Sequence, residues 1–405
     1  MSLDQHLRAQ LSQRESDGLR RVLREVPLRV LDLASNDYLG LSREPSVVEA
    51  ACDAARKYGA GARASRLVSG HNELHQQLEN EIARFKKCES ALLFSSGYAA
   101  NIGVIGALAQ RGDAIFCDKR NHASLIDACK WAQNNGATVR YYSTTEKLRA
   151  LLERNTQATK PQTQNSQLAA TSSTRGAESQ VFIVTDGVFS MDGDVCDWPQ
   201  LVRLAREFGA VLLLDDAHGT GTLGAKGRGT KEHFAAETRD VDTEIDVVEI
   251  GTLSKALGAQ GGFVVGSQPV INHLINASRS FIYSTALNPP ACGAALQALR
   301  VLDVEVGRLQ SLREVTQKLA EGLRERGFDV TLQASPILSV RVGDAKRALE
   351  LSQKLLALGV WCPAIRPPTV PQNTSRLRVT ASSALSDDDI ERALAAFAET
   401  NEPRA

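Results

Sequence analysis

The chain has 405 residues, 43% hydrophobic, 23% charged and 5% aromatic, enough for two or three domains at roughly 150 residues each. Lys+Arg and Asp+Glu both number 47, so the formal charge is zero. This composition excludes disorder over most of the chain, and the balance excludes nucleic acid or an anionic membrane as main partner, since phosphate binding without sequence preference needs a basic excess.

The N-terminus, MSLDQHLRAQLSQRESDGLRRVL, mixes acids with bases and has no apolar core, unlike a signal peptide or a transit peptide. Leu3, Leu7 and Leu11, then Leu19, Val22, Leu23 and Val26, recur at helical spacing and predict an amphipathic helix. Residues 1–45 are read as a segment that packs with the C-terminal unit. The next stretch, 46–290, alternates apolar β-like runs with helical ones. The expected strands are ALLFS (91–95), AIFCD (114–118), TVRYY (138–142), VFIVTD (181–186), AVLLLD (210–215), VVEIG (247–251) and GFVVG (262–266). Most are continuously apolar, as strands covered on both faces are. Helices are expected between them, for example over 75–87 and 201–209. This alternation predicts an α/β domain with a mostly parallel sheet. A long helical stretch follows near 286–326. The remainder, within 291–405, reads as a smaller α+β domain with strands near 336–342 and 376–381 and helices near 344–358 and 386–399.

Residues 155–180, NTQATKPQTQNSQLAATSSTRGAESQ, break the pattern. They have few large apolar groups to offset their ordering entropy and read as a surface loop. Seven cysteines include no C-x-x-C pair, so reduced thiols fit better than a disulfide framework or a zinc ribbon. No run approaches the roughly 18 apolar residues of a membrane span. The expected location is the cytoplasm.

Three short matches fail on context. GTGTLG (219–224) has the dinucleotide-binding spacing, but Asp215 to His218 separate it from the preceding strand, where the fingerprint must begin. HNELH (71–75) spaces two histidines like a zinc-protease helix, yet its glutamate is one position late. A phosphate-binding loop with lysine is incomplete because Ala225 stands at the lysine position. No metal site is expected.

The chemistry-bearing pattern lies at strand ends. VVEIGTLSKALGAQGGFVVG places Lys255 just beyond one apolar strand. Partial burial there lowers a lysine's pKa and makes it nucleophilic, although a lone loop lysine is more often simply solvated. AVLLLDDAHG puts Asp215 at the end of another strand, with His218 three residues on. A buried carboxylate needs a cationic partner, and a protonated pyridine nitrogen is one; the alternative is that Asp215 only caps the following turn. LLFSSGYAAN gives a strand, Ser-Ser-Gly-Tyr and a helix start, a ready phosphate site. His122 in DKRNHAS and Ser190 in TDGVFSMDGD add polar groups at two more strand ends. Together they describe a cleft at the carboxyl edge of a parallel sheet.

The motifs SNDYLGLS (35–42), SRLVSGHNELHQQLE (65–79), SSGYAAN (95–101), NHAS (121–124), DGVFSMDGD (186–194), LLDDAHGTG (213–221), GTLSKALG (251–258) and YST (283–285) run in order along the chain. In this series the chain resembles the α-oxoamine synthases, pyridoxal-phosphate enzymes of the aspartate-aminotransferase fold. The run AIRPPTVPQNTSRLRVT (364–380) is most similar to members acting in biotin synthesis. The 155–180 segment is outside the family pattern, and Gly61-Ala62-Arg63 departs slightly from it.

The resemblance implies fold type I, with a mostly parallel sheet in a large cofactor domain and a smaller α+β domain. It implies pyridoxal 5'-phosphate held by Lys255 through an imine, Asp215 on the pyridinium, His122 stacked on the ring and His218 on the phenolic oxygen. Gly97, Tyr98, Ser190 and Thr252 would reach the cofactor, and Thr285 the phosphate of a partner subunit in a homodimer. Asn36 and Arg378 would hold the amino-acid carboxylate, while Arg20 and Thr369 would line the acyl side. The implied catalytic set is Lys255, His122 and Asp215. The implied reaction is a decarboxylative condensation of L-alanine with a pimeloyl thioester, carried by coenzyme A or acyl carrier protein. Sister activities on glycine or serine with acetyl, succinyl or palmitoyl thioesters stay open.

Overall fold

A computed structural model describes residues 1–17, 19–23, 25–159, 179–239 and 245–400. In chain order the strands are β1 (Leu31–Asp32), β2 (Ser90–Phe94), β3 (Ala114–Asp118), β4 (Thr138–Tyr142), β5 (Val181–Asp186), β6 (Val211–Asp215), β7 (Val247–Thr252) and β8 (Gly262–Gly266). They continue with β9 (Asp329–Thr331), β10 (Ile337–Gly343), β11 (Val360–Trp361), β12 (Ala364–Ile365) and β13 (Ser375–Thr380). Two compact units result. One comprises Gly40–Phe189 and Val195–Val306; the other comprises Met1–Leu39, Ser190–Asp194 and Gly307–Ala405.

The larger unit is built on a seven-stranded sheet of order β2-β8-β7-β6-β5-β3-β4. Pairing is parallel from β7 to β4, and only β8 runs against its neighbours. The apolar runs form strands because both faces are covered. On β3, Ile115 and Cys117 enter one core with Val104, Leu125 and Leu213. Ala114 and Phe116, pointing the other way, enter a second core with Leu148, Trp198, Leu212 and Leu214. A period of two that is apolar on both faces is the mark of a buried parallel sheet.

The covering helices carry local start and stop signals. The helix Trp198–Phe208 starts at Asp197, whose side chain accepts from the Gln200 amide, has proline in its first turn and stops at Gly209 with φ +60°. The expected helix over 286–326 is two helices, Pro289–Val304 and Gly307–Glu325. The first belongs to the larger unit, past the 290 boundary read from the sequence, because it buries eleven residues. A Cβ at Gly293 would lie 2.6 Å from Ala50 O, so close packing there fixes the helix to its neighbour. All seven cysteines are free thiols.

In the smaller unit, β12-β13-β10-β9 form an antiparallel sheet, and β1 pairs with β11 in parallel. Helices Ala345–Ala357 and Asp387–Thr400 each bury an apolar stripe. The N-terminal helix differs from expectation. It spans Leu3–Ser16 with a Ser2/Gln5 capping box and buries no residue; Leu3, Leu7 and Leu11 are all exposed. Leu19, Val22, Leu23 and Val26 lie beyond its end. Helical spacing alone does not set where a helix ends.

Of the 155–180 segment, residues 155–159 continue the helix Thr145–Thr159, and 160–178 lie outside the described residues. No described helix is long and apolar enough to cross a membrane.

Candidate active site

The carboxyl ends of β2, β5, β6 and β7 carry the polar groups of the larger unit. Register puts Asp186 beside Asp215, the last residues of β5 and β6, and both are buried. Asp215 Oδ2 accepts from Asn101 Nδ2 at 2.6 Å and Oδ1 from the Ala217 amide at 3.0 Å. Both donors are neutral, so the charge of this buried carboxylate is left for a cationic partner. Asp186 Oδ2 accepts from the His122 amide at 3.0 Å, and its other oxygen is buried with no partner. Burial first, then the neighbouring Asp215, holds the Asp186 carboxyl well above the usual carboxylate range; Lys255 opposes this.

Gly262 joins two strand ends. It pairs with Phe94 on one side and Thr252 on the other. A Cβ there would lie 2.4 Å from Ser96 O and 2.6 Å from Gly97 N. Glycine therefore lets the Ser96–Gly97 turn close onto the sheet. The helix Gly97–Leu108 starts at this turn, capped by Ser96, which accepts from the Ala99 amide at 3.1 Å. Its first-turn amides and dipole suit an anion. A Cβ built on Gly97 would sit 3.5 Å from Thr252 Cβ, so the helix start and Thr252 form one cradle. Thr252 Oγ1 donates to Gly261 O at 2.9 Å. Tyr98 is exposed, and its hydroxyl donates to Asp127 at 2.7 Å.

Lys255 follows β7 in a turn closed by the Gly258 amide on its carbonyl (2.9 Å), and it is half-buried. Its charge is felt by both His122 and Asp186, which puts the lysine, the histidine and the strand-end acids in one electrostatic neighbourhood. His218 is buried on the turn after β6, where its carbonyl accepts from Thr222 Oγ1 at 2.5 Å. Thr285 is exposed. Its loop is pinned by the Ala286 amide on Ala64 O (3.0 Å) and by His75 Nε2 on the Leu287 carbonyl (2.8 Å).

The smaller unit brings Arg378 and Asn36 together. Arg378, on β13, donates to Asn36 Oδ1 (3.1 Å), Ser190 O (2.6 Å) and Thr380 Oγ1 (3.1 Å). Ser190 thus belongs to this unit, held through its carbonyl. A cavity of about 760 Å³ is lined by Arg14, Arg21, Arg366 and Thr369 among others. Arg21, rather than Arg20, reaches Thr369 Oγ1, at 3.5 Å; Arg20 is turned to Glu15 at 2.6 Å.

Sequence reasoning assigned no role to Asn101, Ser124 or Asp186, although all three lie in its motifs. The available signal was a buried asparagine in the otherwise apolar helix Gly97–Leu108.

The residues present fit pyridoxal 5'-phosphate. The helix start and Thr252 suit its phosphate, and Asp215, with neutral donors only, suits its ring nitrogen.

Comparison with known proteins agrees with this geometry. The family model "Aminotransferase class I and II" matches residues 29–397. The chain is 43% identical to the 8-amino-7-oxononanoate synthase of Geobacter sulfurreducens over 403 residues, covering 96% of each chain. It is 44% identical to that of Geobacter metallireducens over 369 residues, covering 90% of this chain and 87% of the relative. Among solved structures, Sphingomonas wittichii serine palmitoyltransferase superposes with TM-score 0.85 at 28% identity, covering 99% and 98% of the two chains. The 8-amino-7-oxononanoate synthase of Francisella tularensis gives 0.71 at 28%, covering 91% and 97%.

Proposed function

The chain belongs to the class I and II aminotransferase family, in its branch of 8-amino-7-oxononanoate synthases, and from that premise we propose how its residues work. The enzyme is a pyridoxal-phosphate-dependent acyltransferase of biotin synthesis. It condenses L-alanine with a pimeloyl thioester, releasing CO2 and the free thiol carrier and giving 8-amino-7-oxononanoate. The observation that carries this reading is that synthases of this name are 40–44% identical to the chain over 90% or more of its length. Structural likeness does not separate this activity from that of serine palmitoyltransferase, since both share the fold.

When bound, the cofactor supplies an electron sink for the electrons left on the α-carbon of alanine. Lys255 Nζ is the group that anchors it and then removes the α-proton. With the cofactor bound, Asp215 would keep the ring nitrogen protonated, His218 would hold the phenolic oxygen and His122 would cover the ring face. Gly97, Tyr98 and Thr252 would hold its phosphate, with Ser190 near the ring, and in a homodimer Thr285 would reach the phosphate bound by the partner subunit. Arg378 and Asn36 hold the alanine carboxylate until it leaves as CO2. The new bond joins the alanine α-carbon to the thioester carbonyl carbon as the thiolate departs. Lys255 then returns a proton to the α-carbon. Thr369 and the arginines beside it, Arg21 in contact with it and Arg20 nearby in sequence, line the acyl path.

The test is kcat/KM for alanine, glycine and serine with pimeloyl, acetyl, succinyl and palmitoyl thioesters, the pimeloyl group on coenzyme A and on acyl carrier protein in separate arms. Alanine with pimeloyl should lead. Glycine should remain a weak substrate, because one missing methyl is worth only about 1–3 kcal/mol. Preference of tenfold or more for another pair overturns the reading.

A further inference from the structure

His122 caps the helix Ala123–Asn134 with its own ring. Its Nδ1 accepts from the Ser124 amide at 3.3 Å and lies 2.7 Å from the Ser124 hydroxyl. Asn101 Nδ2 donates to that hydroxyl at 2.8 Å and to Asp215 Oδ2 at 2.6 Å. The proton inventory of this chain of contacts is set by its obligate donors. An ionised Asp215 only accepts, so the amide nitrogen of Asn101, with its two protons, must face it. The flipped amide would set oxygen against carboxylate. The Ser124 oxygen therefore accepts from Asn101, and because the Ser124 backbone amide already donates to Nδ1, the hydroxyl meets Nδ1 with its own proton. With an amide and a hydroxyl both donating to it, Nδ1 carries no proton. The single proton of the neutral ring is on Nε2, which makes no hydrogen bond among the described residues.

The charge environment keeps the ring neutral. It sits at a helix N-terminus, where the macrodipole opposes a cation. Desolvation of the ring lowers its pKa; Asp215 and Asp127 oppose this, and Lys255 adds to it. Asn101 Oδ1 is buried with no partner, a cost tolerated while the nitrogen side of the amide serves two acceptors.

We propose that Ser124 and Asn101 are positioning residues that hold His122 as its neutral Nε2–H tautomer, so that His122 serves the reaction as a hydrogen-bond donor and not as a base. The Nε2 proton is then available to the thioester carbonyl oxygen as negative charge develops there. This consequence rests on the reading of His122 at the cofactor ring. The tautomer does not, being fixed by the network from Ser124 to Asp215.

The tautomer is read by 15N NMR of enzyme labelled in its histidine rings, with and without pyridoxal phosphate, His122 being identified by the signal lost in His122→Gln. Nε2 should be the protonated nitrogen in both samples. Asn101→Asp replaces the amide with a carboxyl that shares one proton with Asp215, removes the donor to Ser124 and offers Ser124 an acceptor. The hydroxyl should turn to it, and His122 should shift to the Nδ1–H form, with kcat falling about tenfold or more and the KM for alanine little changed. If that variant melts far below the parent, Ser124→Ala decides. A mixture of tautomers with reduced kcat supports the proposal. A protonated Nδ1 in the parent, an unmoved tautomer in folded Asn101→Asp, or an unchanged spectrum and kcat in Ser124→Ala overturns it. Because the tautomer is measured without substrate, failure of the alanine–pimeloyl assignment leaves this result standing and is seen separately.

Discussion

The guanidinium of Arg378 donates to the side-chain oxygen of Asn36 at 3.1 Å, joining residues 342 apart in sequence. Two further donors, to Ser190 O and Thr380 Oγ1, hold the fork in one orientation inside the smaller unit. A fixed, buried guanidinium is suited to a carboxylate, whose two oxygens match its geometry.

Arg378→Lys should therefore raise the KM for alanine more than it lowers kcat. A lysine keeps the charge but cannot reproduce the fork. A charge-assisted hydrogen bond is worth about 1.5–3 kcal/mol, so kcat/KM should fall by roughly ten- to a hundredfold. Steady-state kinetics over a range of alanine concentrations checks this, and an unchanged KM would remove Arg378 from the carboxylate site.

Borohydride treatment of the loaded enzyme should attach the pyridoxyl group to Lys255, as peptide mapping would show. Lys255→Ala should retain the melting temperature and lose both attachment and turnover. Attachment at another lysine would reassign the anchor.

Two glycines in the phosphate cradle should respond differently. At Gly97 the nearest atom to an added Cβ is 3.5 Å away, so Gly97→Ala should fold and melt normally while binding pyridoxal phosphate more weakly. At Gly262 the added atom meets backbone at 2.4 Å. Gly262→Ala should lower the melting temperature, because backbone cannot move aside as a flexible side chain can. Equal melting temperatures for the two variants would contradict the packing described.

His75 makes stability depend on pH. It is buried in the cap of the helix Glu73–Lys86, and desolvation, with a smaller push from Arg66, lowers its pKa from 6.5 to about 4. Below pH 6.5 the unfolded chain takes up a proton that the folded chain refuses. Stability should thus fall as pH drops from about 6.5 towards 4, by at most about 3 kcal/mol at 1.36 kcal/mol per pKa unit. Urea unfolding of the parent and His75→Gln at pH 7.5 and 5 tests this. The variant should show the smaller drop, and an equal drop would exclude His75 as the source.

The central sheet was legible in the residues alone, and so were the strand-end motifs from which the candidate site is proposed. Continuous apolar runs such as VFIVTD and VLLLD can be buried only as inner strands, and those runs end in Asp186 and Asp215. Asp215, Lys255 and His122 were legible because each stands at a strand end within a distinctive motif. The extent of the N-terminal helix was not legible, because spacing encodes which residues could share a face but not whether a surface exists to receive it. Nor was the choice of Arg21 over its neighbour Arg20 at Thr369, since adjacent arginines are equivalent in a linear pattern and only the path of the backbone aims them. The link from His122 through Ser124 and Asn101 to Asp215 became visible only in the folded chain. Its members come from two helices and a strand far apart in sequence, and a hydrogen-bond donor is assigned only when its acceptor is within reach.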